Sequence, residues 1–374
     1  MKKETRIPPG YKETELGIIP KDWEVKRIID FATVTTGSQN TQDKSENGKY
    51  PFYVRSQQVE RINKYTFDAD GVVTAGDGDI GDIFHRVVGK FGLHQRCYLI
   101  HQFKEVSPDF FFWSFRNDFR TRVMKMTAKS SVDSVRREMV ADMLVPIPPK
   151  KEQERIAGVL SDVDELIATI EKAIEKKRAI KTGAMQQLLT GKTRLPGFSA
   201  PWVEKTLGDI QIRNGQMLKS EDYKTGNVPV IAGGITPAGF HNVSNRPVNT
   251  ITISASGANA GYVSFHPKPI FASDCSTVNE QKNFSVHFLY FYLLYKQEDI
   301  YKCQTGGAQP HIHAKDIKNI PLLYPLEISE QRAIAEVLSN MDAEIETLEA
   351  KREKLIQVKQ GMMQELLTGK TRLL

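Results

Sequence analysis

The chain repeats part of itself. Residues 152–195 align without a gap on residues 330–373, an offset of 178, and 25 of those 44 positions are identical. "EQERIAGVLSDVDELI" answers "EQRAIAEVLSNMDAEI", and "MQQLLTGKTRL" answers "MQELLTGKTRL". A duplication at a long fixed period constrains architecture strongly, because what one copy builds the other builds again. The echo reaches further. Thr5–Tyr11 and Thr193–Phe198 share Thr-Arg-Ile/Leu-Pro, then Gly and an aromatic; Trp23 and Trp202 follow. The last residues, "TRLL", begin the motif a third time, so the two termini are expected to lie close together.

Each copy reads as one long helix. Ile156, Leu160, Val163, Ile167, Ile170 and Ile174 alternate spacings of four and three, as do Ile334, Leu338, Met341, Ile345 and Leu348, with Leu355 beyond Arg352. That is a heptad seam, which calls for a partner helix. Two seams of equal length in one chain are expected to pair with each other. About 38 residues at 1.5 Å each make a rod of roughly 57 Å. Gly183 and Gly361 interrupt both helices, at about 1 kcal/mol each relative to alanine. They mark either close backbone contact, a bend, or a tolerated accident.

"LLTGKTRL" raises a nucleotide-binding question, since Gly-Lys-Thr ends a phosphate loop. The spacing answers it. The loop's first glycine would fall at positions 186 and 364, which hold Gln186 and Gln364. The context is also inverted, because a phosphate loop opens a helix and this motif closes one. Gly191 and Gly369 are expected as left-handed C-caps, with Lys192 and Arg194 beside the negative end of the helix dipole.

The 374 residues suffice for two or three domains. A net charge of +6 and a pI near 8.9 permit nucleic acid without requiring it. Cys97, Cys275 and Cys303 are scattered and odd in number, against a zinc site or a disulfide framework. No run reaches the roughly 18 apolar residues of a membrane span, and a cytoplasmic location is expected. Between the helical landmarks lie two globular segments of short strands, glycines and polar loops. "YPFYVRS" parallels "VPVIAGG", and "VVTAGDGDIGDI" parallels "ITISASGANAGYV". Near-identical helices with differing globular segments suggest one shared partner and two different targets.

The paired "LLTGKTRL" helices, the opening "GYKETELGIIPKDWEV" and the exit "IPPKKEQERIA" resemble the specificity (S) subunit of type I restriction–modification systems, over essentially the whole chain. The resemblance implies a mixed α/β (α+β) chain with an internal pseudo-twofold repeat. Two α/β target recognition domains, 1–149 and 192–327, would be separated by two long antiparallel coiled-coil helices, 150–191 and 328–374. It implies a non-catalytic reader of double-stranded DNA. Each domain would read one half of a split asymmetric target, and the helices would set the spacing. Two methyltransferase (M) subunits would dock on the repeated surface, with restriction (R) subunits in the full complex. S-adenosylmethionine, ATP and Mg would enter through those partners, with no cofactor in this chain. Lys192, Arg194, Lys370 and Arg372 would dock the M subunits, so charge reversal at both arginines is expected to weaken docking and spare the fold. The rod length, about one and a half to two turns of B-DNA at 34–36 Å per turn, suits a split target.

The residues themselves show no convincing catalytic set. An amino-methyltransferase needs Asn/Asp-Pro-Pro-aromatic beside a Gly-rich cofactor loop, and neither Pro8–Pro9 nor Pro148–Pro149 has those neighbours. Asp109 as a nuclease carboxylate has only Glu175-Lys176-Lys177 downstream, on a helix. His311 and His313 lack a third metal ligand at suitable spacing. A coiled-coil scaffold with two protein-binding modules is the competing reading, and it predicts no salt-sensitive DNA affinity.

Phosphates are met by Lys and Arg, and base edges by forked side chains. Candidates in the first segment are Ser38, Gln39 and Asn40 in one loop, with Arg116, Arg120, Arg122, Lys125, Lys129, Ser130, Arg136 and Arg137 in the most basic stretch outside the helices. Candidates in the second are Asn214, Gln216 and Lys219, then Ser256 and Asn259, then Gln304, Gln309, His311 and Lys315.

Overall fold

The computed structural model describes residues 7–126, 134–307 and 309–374. The chain divides into two compact units, Met1–Ile170 with Lys351–Leu374, and Glu171–Ala350. The first unit opens with a hairpin of β1 (Tyr11–Thr14) and β2 (Gly17–Pro20), followed by β3 (Glu24–Arg27) and the one-turn α1 (Ile28–Phe31). Its main sheet holds β4 (Thr33–Thr36), β5 (Tyr50–Tyr53), β6 (Glu60–Ile62), β7 (Phe67–Ala75), β8 (Phe84–Leu93) and β9 (Cys97–His101). Their order is β4-β9-β7-β8-β5-β6, antiparallel except where β5 meets β8. The aromatic burst at the start of α2 (Pro108–Met126) supplies the core: Phe110, Phe111, Phe115 and Phe119 are fully buried, with Phe84 of β8 edge-on to Phe115. After α3 (Arg137–Ala141), β10 (Leu144–Ile147) returns to pair with β3 and leads into α4 (Lys150–Leu188).

The second unit repeats this plan. Its strands are β11 (Trp202–Thr206), β12 (Arg213–Asn214), β13 (Val228–Ile231), β14 (Gly239–His241), β15 (Thr250–Ser254), β16 (Val263–His266), β17 (Phe271–Ala272) and β18 (Cys275–Val278). β15 lies between β16 and β18 as β7 lies between β8 and β9. β13 pairs antiparallel with β14 and parallel with β17, as β5 does with β6 and β8. One difference has a plain cause. The long strand β8 is replaced by β16 and β17, and Pro267 and Pro269 fall between them. Proline has no N–H to give a ladder, so the sheet splits into a four-stranded and a three-stranded piece. Then come α5 (Val286–Tyr295), α6 (Gln297–Lys302) and α7 (Ala314–Ile317). The strand β19 (Pro321–Pro325) pairs with β11 and leads into α8 (Ile328–Leu366).

Both long helices have 39 residues. Within the first unit, Ile156, Ala157 and Leu160 share a core with Leu366 and Leu367, and Lys359 meets Asp164 at 2.5 Å. Within the second, Leu188 and Leu189 share one with Ile334, Ala335 and Leu338, while Lys177 meets Glu344 and Lys181 meets Asp342. Rising numbers on one helix meet falling numbers on the other, so the pairing inside each unit is antiparallel. Ile156, Leu160, Ile167, Ile170, Ile174, Ile334, Leu338 and Ile345 are buried, and Val163, Met341, Leu348 and Leu355 are half-buried. Apolar burial carries the association, because ion pairs that remain partly in contact with solvent contribute only about 0–1 kcal/mol each. A Cβ added to Gly183 or Gly361 would meet nothing within 4 Å, so neither glycine serves close contact.

Candidate nucleic-acid interface

The repeated "GKTRL" resolves first. Gly191 and Gly369 adopt φ +67° and +71°, the left-handed conformation that closes a helix. The arginine three residues on then turns inward. Arg372 Nε and Nη2 each donate to the Glu152 carboxylate at 2.8 Å, and its two Nη groups donate to Asp22 at 3.0 and 2.7 Å. Trp23 Nε1 also donates to Glu152, at 3.1 Å. In the second unit Arg194 grips Glu330 at 2.9 and 2.6 Å, joined by Trp202 Nε1 at 3.3 Å. Glu152 and Glu330 are 2% and 0% exposed. These hydrogen bonds hold Asp22 below its ordinary value and raise the Arg372 guanidinium further. Gln153 and Gln331 repeat the pattern, their side-chain carbonyls accepting from the Ser107 and Ser285 N–H groups. Tyr11 Oη donates to the Gly369 carbonyl at 3.0 Å, so the C-terminal tail lies against residues 11–23.

This corrects one expectation. Arg194 and Arg372 are committed to buried carboxylates, and glutamate in their place would set like charges together inside the protein. Charge reversal there cannot spare the fold. Lys192 and Lys370 remain exposed.

Some of the other sequence candidates lie on loops that the ladders bring together, Gln39 beside His94 and Ser256 beside His311. Gly37 passes so close to Leu93 that a Cβ would lie 2.1 Å from its carbonyl oxygen, which pins the loop that follows. Ser38 is exposed on that loop. Gln39 is not free to read bases: its Nε2 donates to the Lys64 carbonyl, and its Oε1 accepts from Leu93 N–H and Thr66 Oγ1. Asn40 Oδ1 accepts from Gln95 Nε2. Sequence reasoning missed the cluster around Asp77. Asp77, 7% exposed, accepts from Arg55 Nη1 at 3.1 and 3.2 Å and from Arg96 Nη1 at 2.7 Å. Burial works to raise the Asp77 carboxyl; the hydrogen bonds from Arg96 and Arg55 outweigh it and hold it below its ordinary value. A cleft of about 250 Å³ beside it is lined by Thr36, Gln95, Arg96 and Tyr98 among others.

The basic stretch is not a single patch. Arg116 stacks over Trp113 and Phe112, Arg120 Nη1 donates to both carboxylate oxygens of Asp82, and Arg122 Nε donates to the Met139 carbonyl. Arg137 Nε reaches the Val34 carbonyl at 3.4 Å. Lys125 and Arg136 are exposed, and Lys129 and Ser130 lie outside the described residues.

In the second unit, Ser256 Oγ donates to Asp274 Oδ2, and the backbone of Ser256 bridges that of His311, so two separately predicted loops meet. Gln304 Nε2 is spent on the Ala260 carbonyl at 2.7 Å. Gln309, Gln216 and Lys315 are exposed, while Asn259 is half-buried. Asn214 gives its carbonyl to Arg246, and Lys219 faces Glu221 at 3.5 Å. Among the described residues no group of three or more His, Cys, Asp and Glu is placed to hold a metal ion, and no helix is long and apolar enough to cross a membrane.

Comparison with known proteins agrees with this duplicated plan. The family model of the type I restriction modification DNA specificity domain matches residues 20–177 and again 200–357. The chain assigned as the MjaX specificity subunit of Methanocaldococcus jannaschii is 28% identical over 419 residues, covering 97% of each chain. The MjaVIII specificity subunit of the same organism is 25% identical over 421 residues, covering 97% of this chain and 96% of its own. The crystal structure of a type I S subunit from M. genitalium shares the fold, with a TM-score of 0.73 at 20% identity over 92% of this chain and 96% of that one. The chain therefore belongs to the type I restriction–modification DNA specificity family, as a non-catalytic subunit that supplies DNA sequence recognition and carries two copies of the specificity domain.

Proposed function

We propose that each recognition domain, 1–149 and 192–327, reads one half of a split asymmetric DNA target through the loop end of its sheet. The helices 150–191 and 328–374 set the distance between the halves. One observation carries this reading most directly. The two units repeat the same ladder and the same buried Arg–Glu–Trp lock, yet place different side chains at the loop end of the sheet. A common frame with different readers is what two different half-sites require.

The repeated frame supports a second part of the proposal. Two copies of one surface hold two copies of one partner. Two methyltransferase subunits dock on the exposed faces around Lys192 and Lys370, and restriction subunits join the full complex. S-adenosylmethionine, ATP and Mg belong to those partners, and the complex works in the cytoplasm beside the DNA.

Selection from random duplexes tests the reading. The chain with its methyltransferase subunit is expected to enrich two blocks separated by a fixed gap, with affinity falling steeply as salt rises. Enrichment of a single block, or none, would overturn it.

A further inference from the structure

The central strand of each sheet ends beside the first residues of its neighbour, and the ladder fixes which positions correspond. In the first unit Ala75 pairs with Cys97, the Gly76 N–H donates to the Arg96 carbonyl, and Asp77 holds Arg96. In the second, Ser254 pairs with Cys275, the Ala255 N–H donates to the Asp274 carbonyl, and Ser256 holds Asp274. Arg96 and Asp274 therefore occupy one structural position, and Asp77 and Ser256 another.

The geometry of the pair is retained and its polarity inverted. Arg96, with 64% of its side chain exposed, spends Nη1 on Asp77 and keeps Nε and Nη2 free among the described residues. Arg55 likewise gives only Nη1 to Asp77. Asp274 accepts from Ser256 on Oδ2 and leaves Oδ1 without a hydrogen bond among the described residues. No second arginine could stand at Gly233, the counterpart of Arg55 at the 178-residue offset, where a Cβ would lie 2.5 Å from the Ser256 carbonyl oxygen.

We propose that this ladder-end pair is the base-discriminating element of each domain: Arg96 reads a guanine in one half-site, and Asp274 reads an amino-bearing base, cytosine foremost, in the other. The proposal rests on the DNA-reading function above. Its physical warrant is the carboxylate. A phosphate repels Asp274, so the major-groove groups it can accept from are the exocyclic amines of base edges, cytosine N4 or adenine N6. Arg96, at the same position, then faces a base edge as well, where its remaining donors match guanine O6 and N7. Asp77 is a positioning residue. Anchoring the guanidinium before binding removes the entropy otherwise lost when a long side chain is ordered.

The test is methylation-site mapping of the complete methyltransferase complex with three variants. Arg96→Lys keeps the charge and loses the fork. It is expected to relax guanine discrimination at one position of one half-site by about tenfold or more, with the other half-site and the salt dependence of binding unchanged. Asp77→Asn is expected to relax the same position. Asp274→Asn is expected to relax one position of the opposite half-site only. Thermal melting of each variant separates misfolding from lost reading, and Arg96→Gln serves where Arg96→Lys fails to fold. A motif unchanged in folded Arg96 and Asp274 variants overturns the proposal alone. A wild-type complex with no split motif overturns the DNA-reading function beneath it as well.

Discussion

Glu152 and Glu330 show how far one residue can hold a duplicated chain together. Each is a buried carboxylate held by an arginine and an indole from distant parts of its unit. Breaking such a pair leaves a charge uncompensated, whereas replacing both partners costs much less. Arg372→Met is expected to lower the stability of the first unit by about 3–5 kcal/mol, and Arg372→Met with Glu152→Leu by distinctly less, in urea melts arranged as a double-mutant cycle. The lock is also acid-sensitive. Asp22 has a folded value depressed below 3.8, chiefly by its hydrogen bonds from Arg372. Its contribution is present above the ordinary carboxylate value and lost as pH falls through the depressed one. Stability of the wild type measured against Asp22→Asn is expected to converge on acidification below about pH 4 and to diverge at neutral pH. At this scale the sequence was only partly legible. The Thr-Arg-Leu repeat was visible, but its inward direction was not, because a helix-capping Gly-Lys-Thr-Arg reads the same whether the arginine faces solvent or a buried glutamate. Gln39 and Gln304 have the right chemistry for base edges and serve backbone groups instead. Asp77, Arg55 and Arg96 are far apart in sequence, and only the register of β7 against β9 brings Asp77 to Arg96.

Elements were more legible, because periodicity reports them directly. The heptad spacing located both helices, and "VVTA" and "ITIS" fall on the equivalent strands β7 and β15. Helix interiors with open space beside a glycine gain from a methyl group that restricts the unfolded chain. Gly183→Ala and Gly361→Ala are each expected to raise stability by about 1 kcal/mol, read as a higher melting temperature with DNA affinity unchanged. A lower melting temperature would mean that the backbone there bends or packs more closely than the structure shows. The hidden element was the long strand β8, since Pro267 and Pro269 replace its counterpart with two short strands. Low identity between the two globular segments concealed the pairing they share, β7 between β8 and β9 and β15 between β16 and β18.

The whole molecule is one plan written twice, with identity concentrated in the helices and locks. If helix length sets the gap between half-sites, one heptad inserted at the same point of both helices preserves the seam and adds about 10 Å. That corresponds to about three base pairs at 3.4 Å each, so the unread gap of the target is expected to lengthen by about three while both blocks stay the same. An unchanged gap would remove the ruler from the account. The most direct measurement is the map of methylated positions in genomic DNA from cells expressing this chain with its methyltransferase subunit. A split asymmetric motif, one block of which changes when residues 1–149 are exchanged and the other when residues 192–327 are exchanged, is the predicted result. A methyltransferase that remains active with another specificity subunit but marks no new motif with this one would contradict it.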